Sequence, residues 1–178
     1  VADDKKDPWL NYLALTTVVL AVCATLATFK GGGYSTRQIM SQTKASDQWA
    51  YYQAKSVKAN LYEVGKDSVE LEARALPANA SQAAREAYAV RLKDYQAKLA
   101  KYDKEKEEIQ AEARKLEQQR DDAASHGSAF GIAVIFLQIS ILLSSIAALL
   151  KKKPVWYLGM AVGLGGVVWF LDGFGLFF

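Results

Sequence analysis

The chain is poor in the residues that do chemistry. Among 178 residues there is one cysteine, Cys23, one histidine, His126, and only three prolines. A single cysteine excludes an internal disulfide and leaves the redox compartment open. A single histidine, distant in sequence from that cysteine, builds no zinc site and offers no partner for a nucleophile. A phosphate-binding glycine loop is also missing. Gly31, Gly32 and Gly33 are not followed by the lysine and serine or threonine that such a loop needs, and Gly159, Gly163, Gly165 and Gly166 lie inside an apolar run. No metal and no cofactor is expected. An enzyme is not expected either, with an activity on lipid ranked last among the functions considered.

Charge is missing too, and in a pattern. Residues 9–29 contain no charged side chain in 21 positions, residues 130–150 none in 21, and residues 155–171 none in 17. At about 1.5 Å per residue the first two runs span ~30 Å, the thickness of a hydrocarbon core, and the third sits at the short end of the range. Three transmembrane helices follow. Helices apolar on all sides within a soluble domain would need a large covering surface, which the polar remainder cannot supply. Lys5 and Lys6 before the first run resemble the start of a signal peptide, but the run is long for one. "LAVC" at 20–23 puts Val22 where a lipoprotein cleavage box needs a small residue, so the segment is read as retained, with Cys23 an apolar filler.

The 22 basic and 19 acidic residues interleave, giving a formal net charge of +3 and no basic patch for nucleic acid. Their placement bears on orientation. Lys5, Lys6, Lys151, Lys152 and Lys153 fall in two very short segments on one side of three spans, where Lys151, Lys152 and Lys153 are candidates for anionic-lipid contact. That side is expected to be the cytoplasm, with residues 30–128 outside it. By raw count the two sides nearly tie, since Lys30, Arg37, Lys44, Arg114, Lys115 and Arg120 flank the spans on the other.

Within the polar region Gly31 to Gly33 are expected to break the first helix, and Ser35 or Thr36 to cap a new one. Ile39, Ala50, Val57, Leu61, Val64, Leu71 and Ala75 then fall within about 80° of one another on a helical wheel, one narrow apolar stripe. Pro77 stops that helix, and Asn79 with Gln82 has capping-box spacing for the next. In the second arm Tyr88, Leu92, Tyr95, Leu99, Tyr102, Lys106, Ile109, Ala113, Leu116 and Ala123 fill a seven-residue repeat at alternating spacings. The acidic run around Glu107, Glu108 and Glu112 alternates with lysines as ion pairs on a solvated helix do.

The expected fold is therefore an all-α membrane protein: three transmembrane helices with a long antiparallel helical hairpin, coiled-coil-like, inserted between the first and second. Its parts are an N-terminal tail 1–8, spans at 9–29, 130–150 and 155–171, arms at about 36–75 and 80–123, a basic loop 151–154 and an apolar tail 172–178. Inside the spans Gln138 and Ser145 are candidates for interhelical hydrogen bonding or for lining a pore, with hydrogen bonding preferred for Gln138. Gly159 and Gly163 form a small-xxx-small pair for close helix packing. Trp156, Tyr157 and Trp169 suit the membrane interface, as does His126 in "ASHGSAFG".

The segment "ASDQWAYYQAK" at 45–55 places Trp49, Tyr51 and Tyr52 in four positions. If the apolar stripe faces the other arm, Trp49 and Tyr52 point elsewhere and require a second subunit or the membrane surface. Trp49, Tyr51 and Tyr52, with the ladder Tyr88, Tyr95 and Tyr102, are accordingly the expected oligomer or partner interface.

The wording "DPWLNYLALTTVVLAVCATLATFKGGGYSTR" at 7–37, followed by "SDQWAYYQAKSVK" at 46–58, resembles an uncharacterised bacterial membrane family, domain-of-unknown-function family 4337. The resemblance covers the layout of one span, a long helical insert and two closing spans. It implies a bacterial inner-membrane protein and brings no activity, cofactor or catalytic residue. The function expected is a non-enzymatic homo-oligomeric scaffold or docking element of the cell envelope, in contact with the lipid bilayer and with another envelope protein as a further partner. The alternative is a subunit of an oligomeric membrane channel.

Overall fold

The computed structural model describes residues 8–177. It contains three helices: α1 (Pro8–Arg74), α2 (Gln82–Leu150) and α3 (Lys153–Gly175), of 67, 69 and 23 residues. No strand occurs among the described residues. Each helix includes a stretch long and apolar enough to cross a membrane. Lys5 and Lys6, and Phe178 of the apolar tail, lie outside the described residues.

The helices contribute to two compact units. One is the chain up to Met40 together with the chain from Gln119 onward, and the other is Ser41–Gln118.

In the first unit all three helices pack together. As α1 is followed from Leu13 through Leu20 to Ala27, its neighbours on α2 fall from Ala147 through Leu137 to Phe130, while those on α3 rise from Trp156 through Val167 to Phe170. Small residues recur in the interior beside Leu13, Leu20, Phe130 and Leu137. Ala27, Ala133, Ala147, Ser140 and Ser144 are buried, whereas Leu15, Val19, Val22, Phe29, Leu142, Leu149 and Leu164 are exposed.

Glycine explains the closeness of α3. A Cβ at Gly159 would lie 3.2 Å from the Leu143 side chain, one at Gly166 2.9 Å from Leu137 Cγ, and one at Gly173 2.8 Å from the Phe130 ring. At Gly163 it would meet Ser140 Oγ at 2.6 Å. Close backbone approach of this kind is what small residues permit.

The expected break at Gly31 to Gly33 does not occur, because α1 runs through all three glycines and none has positive φ. Glycine costs a helix about 1 kcal/mol per residue relative to alanine, a weak preference that packing overrides. The packing is visible at Gly31, where a Cβ would stand 3.3 Å from Phe130 Cβ. Continuity likewise replaces the expected separation of arm 80–123 from span 130–150, since α2 is one helix from Gln82 to Leu150. α3 extends beyond the expected 155–171 at both ends.

The turn after α1 holds Pro77 as expected. Its capping differs: Ser81 Oγ, not Asn79, accepts the N–H of Ala84 at 3.2 Å, and Arg85 donates to the Ala78 carbonyl at 2.9 Å.

In the second unit only α1 and α2 meet. Along α1, Trp49 reaches Glu117, Lys55 reaches Glu105, Gly65 meets Tyr95 and Glu72 meets Tyr88. The α2 partner number falls steadily as the α1 number rises.

Because α1 is continuous through the triglycine, Gly32→Ala and Gly33→Ala, each facing open space, should stabilise the protein by about 1 kcal/mol apiece. Gly166→Val should instead cost about 1–3 kcal/mol by overpacking against Leu137. Thermal unfolding in detergent, followed by helix content, distinguishes the two groups.

Candidate functional site

The burial pattern of α1 in the second unit has a seven-residue repeat of its own. Ser41, Ala45, Gln48, Tyr52, Lys55, Ala59, Tyr62, Lys66, Val69 and Ala73 alternate at spacings of four and three, and every one is buried or half-buried. The matching seats on α2 are the ones the sequence indicates: Ile109, Ala113, Leu116 and Ala123 are buried, and Tyr88, Tyr95, Tyr102 and Lys106 are half-buried. Ala123 belongs to the first unit and the others to the second.

This reverses the expectation for α1. The apolar stripe does not face the other arm. Val57, Leu61, Val64 and Leu71 are 59%, 68%, 68% and 66% exposed, and Ile39 67%. The inward face is instead filled by alanine, tyrosine and lysine, because a large aromatic on α2 needs a small residue or a gap opposite it. Gly65 supplies one such gap: a Cβ there would touch the Tyr95 ring at 3.3 Å. Tyr62 stacks on Tyr102 with centroids 5.5 Å apart and tilts against Tyr95 at 5.9 Å.

The residues expected at an oligomer interface thus find partners within their own chain. Trp49 Nε1 donates to Glu117 Oε1 at 2.9 Å, and its ring meets Tyr52 edge-on at 5.7 Å. Tyr88 lies 3.5 Å from Glu72 through its hydroxyl, at the limit of a hydrogen bond. Tyr51 stays half exposed, with the Lys55 ammonium 5.3 Å from its ring centre.

Lys55 is the electrostatic centre of the second unit. Its Nζ lies 2.6 Å from Glu105 Oε2 and 5.5 Å from the Tyr102 ring centre. The hydrogen bond to Glu105, then the one to Tyr51, raises the Lys55 pKa above its ordinary value. The same bond from Lys55 lowers that of Glu105. Lys106, on a repeat seat, is raised by its hydrogen bond to Asp103, 2.8 Å away.

In the first unit Gly159 and Gly163 do pack as a small-residue pair, and Ser140 Oγ between them donates to the Gly159 carbonyl at 2.6 Å. Gln138 is exposed, so the interhelical hydrogen bond preferred for it finds no partner within the chain. Two turns of the seven-residue pattern, Leu137 and Ser144, point inward and leave position 138 outside. Ser145 is also exposed and returns its hydroxyl proton to the Ile141 carbonyl at 2.9 Å. Lys151, Lys152 and Lys153 are exposed at the turn between α2 and α3, where Lys151 takes the left-handed conformation that ends α2.

Sequence reasoning passed over one residue here. Asp172 is 1% exposed, and it receives the backbone N–H of Phe177 on its carboxylate at 2.5 Å, tying down the end of α3. It was visible as the sole acid after residue 122. Beside it, His126 Nδ1 lies 2.8 Å from the Gly173 carbonyl, and its ring stacks on Tyr34 at 4.6 Å. This gives the histidine a structural partner across the bundle. Among the described residues no group of three or more metal-ligating acids, cysteines or histidines is found.

The family profile of DUF4337, a domain of unknown function, matches residues 9–176. The chain belongs to this family. The match takes in all three helices and so covers both the tight glycine contacts of α3 and the tyrosine seats of α2. No curated protein and no solved structure matches the chain.

The direction of the two pKa shifts fixes a pH dependence for the Lys55 and Glu105 pair. The lowered Glu105 contributes stability that is complete above the ordinary glutamate value and is lost as pH falls through its depressed one. The raised Lys55 contributes stability present below its ordinary value and lost as pH rises through the elevated one. Glu105→Gln should melt below wild type at pH 7, and the two curves should converge once acid has protonated Glu105. Melting scans across pH check this, and the difference should be small because the pair is partly solvated.

Proposed function

We propose that the chain is a multi-pass protein of the bacterial inner membrane that assembles with copies of itself and presents an extracytoplasmic antiparallel helical hairpin as a scaffold or docking element. The distribution of side chains in the first unit supports the membrane reading. Alanine, glycine and serine recur in its interior beside Leu13, Leu20, Phe130 and Leu137, while many other leucine, valine and phenylalanine side chains face outward, a surface suited to lipid tails as solvent. The steady fall of α2 partners along α1 supports the hairpin, and the paired seven-residue repeats support coiled-coil-like packing. The exposed Lys151 to Lys153 turn is read as cytoplasmic and in contact with anionic lipid. No catalytic role is assigned to any residue.

One observation carries the self-assembly: Gln138, inside an apolar run, turns its amide away from the helices of its own chain. An amide in hydrocarbon gains from a partner, which another copy would provide. The same exposure favours a second reading, a channel whose pore Gln138 lines in the assembled state.

Native mass measurement from membranes should give a multiple of the 19.6 kDa chain, and Gln138→Leu should shift it toward smaller species. A monomer in native membranes would contradict the proposal. Unchanged mass together with altered ion flux in reconstituted Gln138→Leu protein would transfer the assignment to the channel.

A further inference from the structure

The outward stripe of α1 in the second unit has no partner within the chain. Val57, Leu61, Val64 and Leu71 are each more than half exposed. Ala50, Ala54, Ser68 and Ala75, exposed as well, complete alternating spacings of four and three over residues 50–75. On the wheel these positions lie opposite the inward seats, at about 170°. The stripe is only two columns wide, and its edges are polar or charged at Gln53, Lys58, Asp67, Glu72 and Arg74. A strict two-column stripe is narrower than the face a helix gives to a globular core, and it has the form of a seam for one more helix.

We propose that this stripe is the surface on which a second copy of the chain docks, α1 against α1 and parallel. The inference rests on the membrane homo-oligomer reading and supplies its contact surface outside the spans. Charge decides between occupants. A helix lying on an anionic membrane carries basic residues along its polar edge. Here Asp67 and Glu72 balance Lys58 and Arg74 along the edges of the stripe, so the basic excess of a membrane-lying helix is missing.

The outward face of α2 is the other candidate from the same chain. Its corresponding seats include Asp94, Lys101, Lys104 and Glu108, all exposed. Covering the stripe with that face would strip water from four charges, whereas α1 against α1 buries none in the seam. Copies inserted in one membrane share an orientation, so two α1 helices meet in parallel. A contact of 26 residues is ~39 Å long, and a strip ~12 Å wide removes on the order of 500 Å² from each copy. The total of about 1,000 Å² reaches the size of a specific interface, and confinement to one bilayer raises the effective concentration. Parallel register leaves one like-charge contact, Asp67 beside Glu72 of the second copy.

The test uses full-length protein in native membranes with Cys23→Ser as background. Val57→Cys, Val64→Cys and Leu71→Cys should each oxidise to a covalent dimer, and Gln96→Cys, exposed on α2, should not. Asp67→Lys should raise the dimer yield of Val64→Cys, and Leu61→Glu should reduce it by about tenfold or more, the effect of a charge placed in a seam. Helix content should be unchanged in both, since Leu61 and Asp67 are both exposed.

Absence of dimers at all three stripe positions overturns the proposal, as does a dimer at Val64→Cys alone, which an antiparallel pair would give. Equal dimerisation of Gln96→Cys overturns it as random collision. Native mass of the unmodified protein separates the two levels: an oligomer without stripe crosslinks removes only this surface, and a monomer removes the self-assembly reading as well.

Discussion

Close approach of helices at small residues governs the rest of this molecule. In the first unit Gly159, Gly163, Gly166 and Gly173 let α3 settle against Leu143, Ser140, Leu137 and Phe130 at distances where no side chain could intervene. In the second unit Ala45, Ala59 and Gly65 leave room for the tyrosines and leucines of α2. The physical gain differs between them. Where lipid is the solvent, dispersion contacts and the Ser140 hydrogen bond hold the helices, because burying leucine offers no advantage over leaving it in hydrocarbon. Where water is the solvent, tyrosine rings and alanine methyls are removed from it, and the hydroxyls keep a polar edge.

The inward use of small residues accounts for the outward apolar surface. A helix with alanine, tyrosine and lysine on its inner seats has its valines and leucines left over for the opposite side. On α1 Leu15, Val19 and Leu26 are exposed in the apolar stretch, and the stripe from Val57 to Leu71 is exposed further on. In the first setting exposure is no cost. In the second it is one, and four large aliphatic side chains in a straight seam are what self-association would cover. Function here is accordingly read from surfaces, since the interior is occupied by packing and by paired charges such as Lys55 with Glu105.

Much of the architecture was legible in the residues. Absence of charge marked the three apolar stretches, Pro77 marked the turn, and the seven-residue spacing of Tyr88, Tyr95 and Tyr102 marked a seam on α2, though these tyrosines, expected at a partner interface, meet α1 instead. The inward face of α1 was not legible by the same rule. Hydrophobic periodicity assigns the inside to the most apolar column, and on α1 the most apolar column is outside. The competing signal was the 45, 48, 52, 55, 59, 62 series, which spaces correctly but is built from alanine, glutamine, tyrosine and lysine, and so has little contrast. The triglycine misled for a related reason. Glycine propensity argues for a break, while the close contact of Gly31 with Phe130 is a tertiary fact with no local mark. Gln138 showed its chemistry in the sequence and its direction only in the structure.

The inner seam is tested most directly by a thermodynamic cycle at Gly65 and Tyr95. Gly65→Leu should destabilise the folded protein by pushing into the Tyr95 ring, and Tyr95→Ala should lose the packing of that ring. With both changes in one chain the leucine enters the space the ring vacates, so the double variant should be more stable than the sum of the single losses implies. Losses that simply add would mean that Gly65 and Tyr95 do not touch, and the arrangement of α1 against α2 described above would be wrong.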